Sequence, residues 1–466
     1  MQKRTLTAIL SMFIVFAGLA GYLIADINDV VPGFLTKQGP EIARDVPSRE
    51  SVQIAEVFPA RMNLDLPPIV SADLQPLWQK LVDAADDRYQ VGAYVIDALT
   101  GNVLLDGAGE TPMVPASTMK VLAAFASLQA LQPTDHLATS IYLGEDGQLH
   151  LVGEGDLMLA EGKGDMLAIN GRAGLADLAS AASAKLTNLH NTGELVEPTR
   201  LIYHPTIFDG ATRETALPSE LLRWVGHVSA FAIDRGELPG PGYQPFRDDP
   251  GQHVAETLTN ALQEHGINVD IEADTAAFDI GQARLLGQVH SADLGQITRY
   301  MLAHSDNTLA EHLCRMASGV ATGHSDLASA TAFVAQEIAS TGIYHDGLSI
   351  LDCSGLNEEN YVAPRTTAET LQAIWDSNNT GVRHLMRDLP IGMFSGTLND
   401  RFSDNPLGIR IQAKTGSLQE VASLAGYATT TSGRVLIFQV QTNAVQDNAF
   451  FTRGHLDDFA IELVNR

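Results

Sequence analysis

Apolar positions along this chain recur with two periods, and each period predicts its own elements. Residues 91–97 and 103–105 are short apolar runs separated by Thr100-Gly101-Asn102, which predicts a β-hairpin. Further strands are predicted at 409–413, 421–429 and 435–441. Helical spacing predicts helices over 76–86, 121–131, 308–317 and about 447–464. Pro76 stands at the start of the first, where a first helical turn tolerates proline. Within 308–317, Leu309, Leu313 and Met316 recur on one helical face. Residues 141–285 mix short strands with loops such as Pro239-Gly240-Pro241-Gly242. Strands near both ends, helices around them and a long insert predict an α/β (α+β) fold. One domain, residues 76–140 and 286–466, is split by an inserted, mainly-β domain over 141–285. No internal repeat is visible.

The N-terminus follows a different pattern. Met1-Gln2-Lys3-Arg4 is basic, and residues 5–25 carry no charge until Asp26. A run of 21 such residues matches the roughly 20 that span a bilayer as a helix. The basic side stays inside, which places the rest of the chain outside. Residues 1–25 are read as an uncleaved membrane anchor. A cleaved signal peptide is the competing reading, with small-residue sites at Gly18-Leu19-Ala20 and Leu23-Ile24-Ala25. Both export the protein to the cell envelope. Residues 26–75, rich in proline and charge, read as a linker.

Composition narrows the function classes. With 466 residues, 45% of them hydrophobic, the chain has ample core for more than one domain. Lys and Arg number 29 against 56 Asp and Glu, a net charge of −27. A field of that sign repels phosphate backbones, so no nucleic-acid partner is expected. The two cysteines, Cys314 and Cys353, either pair, as an exported chain permits, or stand apart as small core residues. Neither has a metal-ligand spacing. His304 and His312 flank one motif but form no metal-binding pattern, so no metal or cofactor is expected.

Three short motifs carry chemistry. Pro115-Ala116-Ser117-Thr118-Met119-Lys120 precedes the helix over 121–131, so Ser117 and Lys120 share a helical face. A serine hydroxyl needs a base, and a lysine serves only when burial or a nearby cation lowers its pKa. Ser305-Asp306-Asn307 opens the 308–317 helix. Ser305 would relay a proton and Asn307 would orient a substrate amide. Ser403-Asp404-Asn405 and Ser377-Asn378-Asn379 are rivals, but both have loop contexts, and Pro406 biases Asn405 toward a turn. Lys414-Thr415-Gly416-Ser417 ends the 409–413 strand. Lys414 offers charge to a substrate carboxylate, Thr415 and Ser417 offer hydroxyls, and Gly416 lets a substrate lie along the strand edge. The backbone N–H groups of Ser117 and Ser417 would form an oxyanion hole.

These motifs, in this order, are the recognised signature of class A β-lactamases and penicillin-binding proteins. The chain resembles the class C low-molecular-mass penicillin-binding proteins, the D-alanyl-D-alanine carboxypeptidase/endopeptidase family. The resemblance runs through residues 115–120, 305–311, Asp352-Cys353-Ser354-Gly355-Leu356, Ser395-Gly396-Thr397-Leu398 and 413–418. It implies a β-lactamase/transpeptidase-like domain with an antiparallel sheet between helices. The family's insertion between the first two motifs is present, with 188 positions between Ser117 and Ser305, but looks shorter than usual.

The resemblance also implies a mechanism. Neutral Lys120 takes the Ser117 proton, and Ser117 attacks the carbonyl between two terminal D-alanines of a peptidoglycan peptide. D-Alanine leaves through Ser305, and water hydrolyses the acyl-enzyme. β-Lactams would enter the same site and stall there. A β-lactamase remains an alternative, although no convincing deacylating glutamate follows Ser305; so does a non-catalytic cell-wall-binding protein, although every motif residue is intact. After Leu356 the family usually continues with Ser and Arg, whereas this chain has Asn357 and Glu358. The reversed charge suits a third peptide residue with a free cationic end, such as lysine or ornithine. The other reading of Glu358 is an exposed loop charge.

Overall fold

The computed structural model describes residues 66–466 except 67, 195–196, 215–216, 241, 243 and 447. The apolar run over 5–25 and most of the 26–75 linker lie outside the described residues. Among the described residues, no helix is long and apolar enough to cross a membrane.

The predicted hairpin forms as β1 (Gln90–Asp97) and β2 (Val103–Gly107), with Gly101 at φ +69° in the turn. On its other edge β1 pairs antiparallel with β12 (Val435–Asn443). β12 pairs with β11 (Val421–Thr429), and β11 with β10 (Ile411–Leu418). The result is an antiparallel sheet of order β10-β11-β12-β1-β2, which joins the two ends of the sequence.

Side chains alternate across this sheet with the period of two that strands impose. Val95, Phe438 and Val440 face one core together with α1 (Ser71–Ala85) and α10 (Arg453–Val464). Tyr94, Ile96 and Ile437 face the other, together with α2 (Met119–Ala130) and later helices. The expected antiparallel sheet between helical layers is therefore present.

Several element bounds differ from the sequence reading: the helix expected from about 447 begins at Arg453 after a 3₁₀ turn at Ala449–Thr452, and the helix expected over 308–317 extends to Thr322. α1 begins at Ser71, so Pro76 lies inside the helix rather than in its first turn. The cause is an N-terminal cap in which Val70 N donates to Asp73 Oδ2 at 3.2 Å. Pro76 is exposed, so solvent can satisfy the carbonyl its missing N–H leaves free. β10 begins at Ile411 and runs through Leu418, so the Lys-Thr-Gly-Ser motif is inside the strand rather than at its end. Residues 406–410 are a 3₁₀ turn instead.

A second sheet has the order β8-β6-β4-β3-β9. It comprises β3 (His136–Leu143), β4 (Leu149–Gly153), β6 (Arg200–His204), β8 (Asp270–Ala273) and β9 (Arg284–Asp293). β3 and β9 run across positions 141 and 285. α3 (Leu175–Asn191) and α4 (Pro250–Glu264) pack on this sheet through Leu178 and Leu258, adding helices to the β framework expected there. β5 (Asp156–Leu159) and β7 (Phe231–Ile233) form a short parallel pair.

The helical side of the first sheet is completed by α5 (Leu294–His304), α6 (Asn307–Thr322), α7 (Leu327–Ser340), α8 (Pro364–Asp376) and α9 (Thr380–Asp388). Only two residues separate α5 from α6. Ser305 closes α5 in a left-handed conformation, φ +58°, and Asp306 caps α6 by accepting from Leu309 N at 2.8 Å. Cys314 on α6 and Cys353 form a disulfide with Cα atoms 6.5 Å apart, which resolves the alternative left open by the sequence.

Candidate active site

Ser117 lies in a 3₁₀ turn, Ala116–Thr118, that leads directly into α2. Ala116 is fully buried and held at φ +50°, a strained conformation for alanine. Two glycines allow the surroundings to close on this turn. A Cβ on Gly355 would sit 1.9 Å from Ala116 O, and Gly355 itself has φ +80°. A Cβ on Gly416 would sit 2.1 Å from Ser423 Oγ and 2.9 Å from Pro115 O. The missing side chain at Gly416 is thus explained by packing inside the protein, beside the substrate access expected from the sequence.

Lys120, the second residue of α2, is fully buried. Its Nζ is 2.9 Å from Ser117 Oγ, 2.6 Å from Asn307 Oδ1 and 2.6 Å from Ser354 O. Burial pushes its pKa down from the usual lysine range to about 8, against the pull of Asp352, Asp306 and Glu311. A neutral amine has two N–H donors and one lone pair. With Asn307 Oδ1 and Ser354 O taking the donors, the lone pair faces the Ser117 hydroxyl.

Lys414, on β10, is also fully buried and donates to Ser305 Oγ at 2.8 Å and to Thr415 O at 2.7 Å. Burial, and then the charge of Lys120, push it well below the usual lysine range. The repulsion is mutual, so two ammonium groups here are disfavoured unless an anion joins them.

Five expected residues converge: Ser117, Lys120, Ser305, Asn307 and Lys414. The neighbours of Asn307 differ from expectation. Its Oδ1 accepts from Lys120, and its Nδ2 donates to Trp224 O at 2.8 Å, so both ends of the amide are engaged within the protein. The rival motifs act as caps. Asn405 Oδ1 accepts from Leu407 N at 3.0 Å, and Asn379 Oδ1 accepts from Gly381 N at 2.9 Å. Thr415 Oγ1 donates to Thr397 Oγ1 at 2.9 Å. Ser417 Oγ accepts from Arg453 Nη2 at 2.8 Å. Glu358 stands apart in an exposed loop, two positions beyond Leu356, which packs in a small apolar cluster with Leu217, Val225, Trp224 and Leu418.

Sequence reasoning missed three participants. Arg235 comes from the inserted region, yet its Nε lies 2.9 Å from Asp306 Oδ2 and its Nη2 lies 2.9 Å from Glu237 Oε2. No local signal marks it. Arg453 was hidden in a helix read only for its apolar spacing. Glu311, buried, accepts from Ser354 N at 2.8 Å. A signal for it existed, because an acid one turn beyond Asn307 falls on the site-facing side of α6.

The arrangement supports nucleophilic attack by Ser117 with lysine as base, as in other serine–lysine hydrolases. Comparison with known proteins places it. The model of the D-Ala-D-Ala carboxypeptidase 3 (S13) family matches residues 75–216 and 245–458. The carboxypeptidase Rv3627c of Mycobacterium tuberculosis is 31% identical over 395 residues, 82% of each chain. The carboxypeptidase DacB of Mycolicibacterium smegmatis is 28% identical over 75% of each chain. Penicillin-binding protein 4 of Haemophilus influenzae shares the fold with a TM-score of 0.66 at 21% identity, covering 83% of this chain and 98% of that one. A second structure of that protein, complexed with a β-lactam, has a TM-score of 0.60. The chain belongs to the D-Ala-D-Ala carboxypeptidase 3 (S13) family of serine peptidases, within the low-molecular-mass penicillin-binding proteins.

Proposed function

We propose that Ser117 is the nucleophile of this D-Ala-D-Ala carboxypeptidase and that peptidoglycan stem peptides are its substrates. The observation that carries the reading is the pair of contacts Lys120 Nζ–Ser117 Oγ, 2.9 Å, and Lys414 Nζ–Ser305 Oγ, 2.8 Å. Lys120 takes the proton as Ser117 Oγ bonds to the penultimate D-alanyl carbonyl carbon. Backbone N–H groups of Ser117 and Ser417 hold the oxyanion. The C–N bond breaks as Ser305 Oγ protonates the leaving nitrogen and takes in turn the proton that Lys120 had accepted. Water then hydrolyses the ester, with neutral Lys120 as base, to restore Ser117. Lys414, Thr415 and Ser417 receive the terminal carboxylate. Glu358 contacts the third peptide residue, and Gly416 keeps the strand edge open. Cleavage of a D-alanyl cross-link uses the same acyl group, so endopeptidase action belongs to the same reading.

A β-lactam offers the same acyl carbon but no departing amine, which leaves a long-lived ester on Ser117. The protein works in the cell envelope. Residues 1–25 are read as its membrane anchor, supported by their basic start and uncharged run. Residues 141–285 are read as a separate inserted domain whose Arg235 supports the second motif. The test is incubation of the purified chain with a fluorescent penicillin, followed by peptide mapping, and with a D-Ala-D-Ala pentapeptide, followed by D-alanine release. A stable label on Ser117 with D-alanine release is expected. Rapid loss of label without peptide hydrolysis would indicate a β-lactamase, and no label a binding protein.

A further inference from the structure

A lysine base works only when its lone pair points at the nucleophile, so whatever holds its two N–H groups controls the reaction. For Lys120 these are Asn307 Oδ1 and Ser354 O. Both are set by α6. Asn307, Glu311 and Cys314 stand at i, i+4 and i+7 and share one face of that helix. Asn307 reaches Lys120 directly. The other two hold the loop that supplies the second acceptor.

Glu311 Oε1 accepts from Ser354 N at 2.8 Å and from Cys353 N at 3.1 Å, and Oε2 lies 3.3 Å from Cys353 N. One turn further on, the Cys314–Cys353 disulfide ties the same loop covalently to α6. From the other side, Asp352 accepts from Gly355 N at 2.7 Å and from Asn357 N at 2.8 Å. A buried carboxylate is an expensive way to hold a loop that a disulfide already anchors. It holds the two peptide planes that lead into Ser354, through the N–H groups of Cys353 and Ser354, while Asp352 holds the next plane, in which Gly355 N–H is coplanar with the Ser354 carbonyl.

We propose that Glu311 is a positioning residue for acylation, orienting the Cys353–Ser354 backbone so that Ser354 O holds the Lys120 amine toward Ser117. The inference rests on the reading of Lys120 as the base. The charged groups facing Glu311 are Asp352, Arg315 and Lys120. Burial pushes the Glu311 carboxyl up to about 7, and above that pH its negative charge raises the Lys120 pKa, so the residue sets both the direction of the amine and its proton affinity. Neutral Lys120 is the active form, so the acylation rate rises with pH through its pKa. Removing the Glu311 charge therefore moves that acid limb to lower pH.

The experiment measures second-order acylation of the full-length chain by a fluorescent penicillin across pH, for wild type, Glu311→Gln, Glu311→Asp and Lys120→Ala. Glu311→Gln is expected to lower the plateau at least tenfold and shift the acid limb to lower pH. Glu311→Asp keeps the charge, and its plateau is expected to fall at least threefold with the limb near the wild-type position. A Glu311→Gln plateau within twofold of wild type, or a fall without movement of the limb, would overturn the proposal. If Glu311→Gln does not fold, an unchanged plateau in Glu311→Asp overturns it alone. Lys120→Ala separates the two readings. Wild-type acylation there removes the base assignment itself, whereas loss there beside an unaffected Glu311→Gln removes only the role of Glu311.

Discussion

Lys414 Nζ donates to Ser305 Oγ at 2.8 Å although 109 positions separate the two residues. Lys120 reaches Asn307 in the same way across 187 positions. The two-residue junction between α5 and α6 is therefore where the first and third motifs meet. A helix C-cap and a helix N-cap back to back hold Ser305 and Asn307 in fixed directions, which a loop could not do.

Mutation should separate this junction from its sequence duplicates. Ser117→Ala is expected to abolish penicillin labelling. Ser305→Ala should slow acylation by roughly 10²- to 10⁴-fold, the range for a lost proton-transfer group. Ser403→Ala should label at the wild-type rate. Comparable losses in Ser305→Ala and Ser403→Ala would show that the junction is not the proton relay.

The charge on Lys414 has a pH signature of calculable sign. With a substrate carboxylate bound, its ammonium repels a proton on Lys120, whose pKa is already held near 8 by burial. Lys414→Ala removes that repulsion and raises the Lys120 pKa. The acid limb of kcat, which reports the substrate complex, should move to higher pH. KM should rise roughly 10- to 100-fold, as expected for loss of a charged hydrogen bond. A pH–rate profile of kcat/KM and kcat checks both. An unmoved limb would mean that Lys414 carries no charge during the reaction.

Gly355→Ala should disturb Ser117 without removing any polar side chain of the site. The added Cβ would meet Ala116 O at 1.9 Å, and the backbone would be strained at φ +80°. A stability loss of roughly 2–4 kcal/mol is expected, together with slow acylation of the remaining folded protein. Gly454→Ala is the control, because its Cβ meets nothing within 4 Å. Thermal unfolding and active-site labelling read the pair. Equal melting temperatures would refute the packing argument.

The disulfide makes a prediction of its own. Cys314→Ala with Cys353→Ala opens a loop closed across 39 positions. The expected cost is about 2–4 kcal/mol, measured by denaturant unfolding. Because Glu311 still holds the Cys353–Ser354 backbone, acylation per folded molecule should stay within a few-fold of wild type.

How much of this was legible depended on whether a residue's role is local. β11 was predicted over 421–429 and is found at Val421–Thr429, because a strand buried on both faces reads as a continuous apolar run. β10 was cut short because Lys414, Thr415, Gly416 and Ser417 are polar for chemical reasons and mask the strand pattern. The three motifs were legible as short, contiguous groups. Arg235 was not, because its contact with Asp306 arises only when the inserted region folds back on α6. Glu311 sat in view within the second motif's helix, but nothing in the sequence shows the backbone it holds.

Glu358 carries the last prediction, on the choice of peptide. The residue is exposed, and its loop continues directly from Leu356, whose apolar cluster includes Trp224 and Leu418. Trp224 O is bonded to Asn307, and Leu418 ends β10, so this cluster borders the site. A peptide side chain extending over it would end near the Glu358 loop. A carboxylate there meets like charge, and an ammonium meets opposite charge. Glu358 is solvated, so the contact is worth only about 0–1 kcal/mol, a preference of up to roughly fivefold. The wild-type protein should therefore hydrolyse L-Lys-D-Ala-D-Ala peptides with higher kcat/KM than meso-diaminopimelyl-D-Ala-D-Ala peptides. Glu358→Arg should reverse the order, and the preference should fade as salt is raised. Insensitivity to both charge reversal and salt would return Glu358 to the role of an exposed loop charge, with the third residue read elsewhere.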